Sequence, residues 1–123
     1  MKPRPKATKG TTYELKCPCG DLYVTCNDID GELFEVFATL GKAGGCGAAN
    51  KAAIGILLSI ALRGGVAPEY LIKGMSGVTC HRSNAQMESC ISQMASILKE
   101  HEEAKTLNKK ITTFSTTDTI TVG

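Results

Sequence analysis

Tryptophan is absent from this 123-residue chain, and aromatic residues of all kinds make up only 5%. The core must therefore be built from Ile, Leu, Val, Ala and Met rather than from large rings. Charge of either sign is modest at 21%, and hydrophobic residues supply 42%, so wholesale disorder is excluded. No apolar run comes near the ~20 residues of a membrane-spanning helix, and no partner membrane is expected. The start, Met1-Lys2-Pro3-Arg4-Pro5-Lys6, is followed by no apolar stretch of the kind a secretory signal carries, so a cytoplasmic location is expected.

The net charge of +2 is unevenly spread. Lys2, Arg4, Lys6 and Lys9 give residues 1–10 a charge of +4, which leaves ten basic against twelve acidic residues in the remainder. A slightly acidic body offers no broad electrostatic footprint for duplex nucleic acid. Residues 1–10 read as a basic, Pro-containing linker in solvent.

Residues 11–105 read as one folded domain. Thr12 to Cys17, Leu22 to Cys26 and Leu33 to Leu40 are rich in β-formers. They are separated by Pro18-Cys19-Gly20-Asp21 and by the turn-forming cluster Asn27 to Glu32. This predicts an antiparallel three-strand meander. A glycine-rich turn, Gly41 to Gly47, leads into a helix from Ala48 to Arg63. Its Ile54, Leu57, Leu58 and Ala61 share a face, with Ile56 and Ile60 making the rest nearly apolar. Such a helix is expected to be buried on most sides, with Gly64-Gly65 stopping it. Pro68 opens a short helix to about Lys73. Ser83 and Gln86 have capping-box spacing, so a third helix is expected from Asn84. Its apolar stripe is Met87, Cys90, Ile91, Met94, Ile97 and Leu98, and residues 99–105 form its solvated end. The Thr-rich tail, 106–123, reads as an edge strand or as disorder. The fold class is α+β, with helices packed on one face of a small antiparallel sheet.

Six cysteines without an export signal are the most informative count. Thiols in the cytosol stay reduced, so metal binding outranks a disulfide framework. Cys17-Pro18-Cys19 lacks the two-residue spacing of a zinc knuckle or of a redox pair. Four thiolates from distant segments would nevertheless satisfy tetrahedral zinc and staple a small domain. Cys26, in a strand, reads as a buried apolar thiol.

The glycine-rich turn, with Lys42, Gly44 and Gly45 ahead of a helix, is also a candidate cradle for an anion such as a nucleotide phosphate. It lacks the spacing of a Walker loop. A tight turn that positions Cys46 is the competing reading. His81 and His101 have no nucleophile or acid at recognisable spacing, and His101 is expected in solvent. No catalytic constellation emerges.

Several motifs together resemble a known family. They are Gly10-Thr11-Thr12-Tyr13, Cys19-Gly20-x-Leu22-Tyr23-Val24-Thr25, Phe34-Glu35-Val36-Phe37 and Gly41-Lys42-Ala43-Gly44-Gly45-Cys46. Ser59-x-Ala61-Leu62-Arg63, Pro68-Glu69 and Gly77-Val78-Thr79-Cys80 continue the pattern. Over about residues 10–98 the chain resembles the TSCPD domain, found near the C-terminus of vitamin B12-dependent class II ribonucleotide reductases and as short stand-alone proteins. The resemblance implies one zinc per chain, on Cys19, Cys46, Cys80 and Cys90. The naming motif departs here, with Glu88 ahead of Ser89-Cys90 and Ile91-Ser92 after it, so Cys17 or His81 is the substitute for Cys90. It also implies a non-catalytic accessory role linked to a ribonucleotide reductase chain and deoxynucleotide synthesis. A chain of this length has no room for the reductase's catalytic barrel. The alternative is a free-standing nucleotide-binding module using the 41–47 turn, and a homo-oligomer is compatible with either.

Overall fold

The computed structural model describes the backbone of residues 1–41, 45–80 and 82–122, and the side chains of those up to 107. Three strands, β1 (Lys9–Cys17), β2 (Gly20–Ile29) and β3 (Glu32–Leu40), form an open antiparallel sheet in the order β1-β2-β3. Three helices follow: α1 (Gly45–Arg63), α2 (Pro68–Met75) and α3 (Cys90–Val122). The α+β class expected from the sequence is the class observed.

Both hairpins close through two-residue turns. Cys17 pairs with Gly20 across Pro18-Cys19, and Ile29 pairs with Glu32 across Asp30-Gly31. Asp30 and Gly31 both have positive φ, 54° and 81°, the geometry an Asp-Gly turn between twisted strands adopts. Alternation then sorts the side chains. Tyr13, Leu15, Cys17, Leu22, Val24, Cys26, Val36 and Ala38 face the core, where they meet Met94, Ile97 and Leu98 of α3.

α1 lies along the free edge of β3. Ser59 Oγ accepts the Val36 N–H at 3.0 Å and lies 3.0 Å from the Val36 carbonyl oxygen, which places a helix side chain where a fourth strand would pair. Gly55 permits this approach, since a Cβ there would stand 3.0 Å from the Val36 oxygen. An edge strand is thereby covered without another strand. Only one side of α1 can face β3, and this corrects the expectation of a helix buried on most sides. Leu58 and Leu62 are buried, while Ile56, Leu57 and Ile60 stay exposed. The helix also begins earlier than expected, at Gly45. An 18-residue stretch of it has a mean hydropathy of 1.5, long and apolar enough to cross a membrane by length and composition alone, a test that core helices of globular proteins also pass. Gly65, at φ 99°, ends it as expected.

Residues 1–8 are not a free linker. Arg4 grips Glu35 with two nitrogens, at 2.9 and 3.1 Å, and Lys2 exchanges backbone and side-chain hydrogen bonds with Arg63. Charge patterning along residues 1–10 suggested solvent. The buried acid that binds Arg4 lies 31 positions away and was invisible locally.

α3 starts at Cys90, not near Asn84. Asn84 Oδ1 accepts the N–H groups of Gln86 and Met87, closing a local turn that competes with helix. Ser89 is the N-cap, its Oγ accepting the Ser92 N–H at 3.1 Å. At the other end, the backbone of α3 runs on through the Thr-rich stretch to Val122, where an edge strand or disorder was expected. An established helix propagates more readily than a new strand nucleates.

Candidate metal centre

The thiols gather at one end of the sheet. Cys17 ends β1 and is buried, Cys19 occupies the following turn, and Cys90 opens α3 and is buried. Burial pushes the Cys17 thiol up to about 12, with the neighbouring Cys90 sulfur and then Cys19 adding to it. Cys19 is raised by burial and again by Cys90. Cys80, in the α2–α3 loop, acts on Cys19 by its charge. Cys80 itself is exposed, and its thiol is held below the usual value, chiefly by the backbone N–H of Arg82 and also by Ser83.

Lys51 completes this surrounding. It is a buried lysine on the inward side of α1, and its charge acts on Cys17, Cys19 and Cys80 alike. A buried cation beside several thiols partly offsets the negative charge they would carry as thiolates. Sequence reading passed over Lys51. The signal was available in its position on α1, in line with Leu58 and Leu62.

Among the described residues no three Cys, His, Asp or Glu side chains are already drawn in to hold a metal ion. Cys80 is the outlying member of the set. A cavity of about 370 Å³ lies between the Gly77–Cys80 segment and Ser89 and Ser92, while the Gly77 N–H on Ser92 Oγ and the Ser89 hydroxyl on the Val78 carbonyl tie that segment to the start of α3. The donor chemistry fits zinc, because four soft thiol ligands without a carboxylate suit a closed structural site.

The expected ligands thus fare differently. Cys19, Cys80 and Cys90 fall at this end of the domain, joined by Cys17. Cys46 is exposed, as Cys19 and Cys80 are, in the first turn of α1, a helix that starts at the same end of the sheet: Leu40 pairs with Leu22 and the Gly41 N–H binds the Asp21 carbonyl. His81, Lys42 and Gly44 lie outside the described residues, and Gly45 is the first residue of α1, at φ 77°. Cys26 is fully buried in β2, as expected, with burial pushing its thiol up to about 12.

A second polar cluster went unread in the sequence. His101 was expected in solvent but is only 5% exposed. One ring nitrogen, Nδ1, lies 2.7 Å from the Tyr13 hydroxyl and the other, Nε2, 2.8 Å from Asp28 Oδ2. Lys105 binds the other Asp28 oxygen at 2.9 Å. Burial works against the Lys105 charge, but Glu102 and Asp28 outweigh it and hold its pKa above the usual lysine value. The spacing 90-94-97-101 continues the buried stripe of α3 by one turn past Leu98, which is the signal that places His101 inward.

The fold and the site define a small α+β domain, a three-stranded antiparallel sheet with three helices, that carries several free thiols and a buried lysine toward one end. The chain belongs to the TSCPD domain family, whose model matches residues 1–102 of its 123, and that family is associated with ribonucleotide reductase. The match takes in the segment ahead of β1, in keeping with the docking of Arg4. No curated protein and no solved structure matches the chain.

Proposed function

We propose that this chain is a non-catalytic zinc-binding accessory module of ribonucleotide reduction, acting beside a reductase chain. One zinc per chain is held by Cys17, Cys19, Cys80 and Cys90, with Lys51 offsetting part of the thiolate charge. Zinc supplies a cross-link here, tying the β1–β2 turn to the α2–α3 loop and to the start of α3.

One observation carries the reading: Cys17 and Cys19, at a hairpin tip, both feel Cys90, more than seventy positions away in the chain. Converging thiols of this kind, with all six cysteines free, are candidate metal ligands. The link to a reductase rests on family membership.

Metal analysis of the full-length protein tests it. About one zinc per chain is expected, lost in Cys17→Ser and Cys90→Ser and retained in Cys46→Ser. Co-purification with a reductase chain tests the partner. Protein without zinc, whose melting is unchanged by chelators, overturns the metal assignment. Zinc retained in Cys17→Ser and lost in Cys46→Ser returns the fourth ligand to Cys46.

A further inference from the structure

The outward side of α1 is apolar along its length. Leu57 is 65% exposed, Ile56 55% and Ile60 45%, and Ala49, Ala52 and Ala53 are exposed beside them. From Ala52 to Leu62 the helix contains no ionisable residue. Its nearest lysine, Lys51, is buried on the opposite side. A contiguous apolar face of this kind marks an interaction surface more often than free solvent.

The spacing says what kind of partner fits. Ala49, Ala53, Ile56 and Ile60 follow one another at intervals of four, three and four, the seam along which two helices pack side by side. Along that seam the residues are small at one end and large at the other. Turning a second copy end for end sets Ala49 against the partner's Ile60 and Ala53 against the partner's Ile56. Each layer then joins a small residue to a large one. A two-fold axis between positions 53 and 56 makes the surface self-complementary, as an isologous dimer requires. The absence of charge means that no like-charged residues oppose one another across the axis.

A lipid surface is the competing occupant for an apolar helix. Interfacial helices, however, keep a Lys/Arg-rich face toward the headgroups. The reverse side of α1 is committed to β3 through Gly55, Leu58, Ser59 and Leu62, so crossing a bilayer would tear it from the sheet edge. We infer that the chain forms an antiparallel two-fold dimer through the Ala49–Ile60 seam of α1, independently of any metal.

Sedimentation velocity of the full-length chain across a wide concentration range tests this. A dimer that dissociates on dilution is expected. Ile56→Lys combined with Ile60→Lys should weaken it by on the order of tenfold or more, with unchanged circular dichroism and with melting equal to the wild type's at dilutions where the dimer has dissociated, because both side chains face solvent in the protomer. Ala53→Ile alone should weaken the dimer by setting two large residues in one layer, and adding Ile56→Ala should restore it. A monomer at every concentration, or a dimer indifferent to the double lysine variant, overturns the interface. Tighter association of Ala53→Ile overturns the antiparallel register. Flotation of the wild-type chain with phosphatidylcholine–phosphatidylglycerol vesicles, lost in the double lysine variant, assigns the face to lipid instead.

Discussion

Ser59 stands in for a strand partner of Val36, its hydroxyl within 3.0 Å of both the N–H and the carbonyl oxygen on the open edge of β3. The same oxygen reaches the Gly55 carbonyl at 2.8 Å, so one side chain joins helix and sheet edge. Ser59→Ala leaves two buried backbone groups without this partner. A loss of about 1–3 kcal/mol in urea unfolding is expected, the range for an unsatisfied buried group. Gly55→Ala should act at the same seam by pushing α1 away from Val36. The pair should therefore combine non-additively in a double-mutant cycle.

Glu35 is 1% exposed on β3, yet it is fully partnered. Burial alone would raise its pKa. The bonds from Arg4 and Asn27, the Arg4 charge and the Thr8 hydroxyl outweigh burial and hold the carboxyl below the usual glutamate value. A carboxylate depressed in the fold stabilises it above the unfolded value of about 4.3, and that contribution is lost as pH falls through the lower folded value. Unfolding free energy measured against pH should therefore drop in that acid window. Arg4→Ala should flatten the drop and lower the plateau above it. A parallel downward shift with an unchanged slope would mean that Arg4 does not tune Glu35.

The strands, both tight turns, α2 and the end of α1 were legible because each rests on a local signal: alternation, Asp-Gly, Pro68, Gly65. What escaped reading was set by partners remote in sequence. Arg4 looked like tail until Glu35 was in place, and His101 looked solvated because its partners, Tyr13 and Asp28, lie 88 and 73 positions away. α1 is apolar nearly all round, a pattern that does not distinguish a helix buried by its own domain from one half covered by another chain. All four ligands expected from the resemblance fall on segments at one end of the sheet, Cys46 because α1 starts shortly after Leu40, which pairs with Leu22. Cys17 joined them because hairpin register turns its side chain to the core face, and register is not written in the Cys-Pro-Cys spacing.

The Tyr13–His101–Asp28 chain fastens α3 to β1 and β2. With Asp28 as acceptor, the neutral ring carries its proton on Nε2 and accepts the Tyr13 hydroxyl at Nδ1. His101→Ala takes the partner from a partly buried hydroxyl and a partly buried carboxylate oxygen and empties a buried site, so a loss of about 1 kcal/mol or more is expected. Tyr13→Phe removes a single hydroxyl and should cost less. Hydrogen exchange should show the loss concentrated in α3 and in β1, whereas a purely local effect of the alanine would leave β1 amides unchanged.

Reactivity of the six thiols should follow their surroundings and should report on the proposed metal. In metal-free folded protein Cys80 is exposed, and the Arg82 backbone N–H, with Ser83, favours its thiolate, so iodoacetamide should modify it early. Cys26 and Cys17 have thiols pushed up to about 12, so at neutral pH both are protonated and should react last. Zinc binding requires thiolates, so loading must displace the Cys17 proton, and affinity should rise with pH. With zinc present, Cys80, Cys19 and Cys90 should become protected together, while Cys46 stays as reactive as before. Cys26 serves as the internal control, slow in both states because burial and not metal shields it. Peptide mass spectrometry after a timed alkylation pulse reads all six positions at once. Protection of Cys46 in place of Cys17, or no change on adding zinc, would contradict the ligand set proposed here.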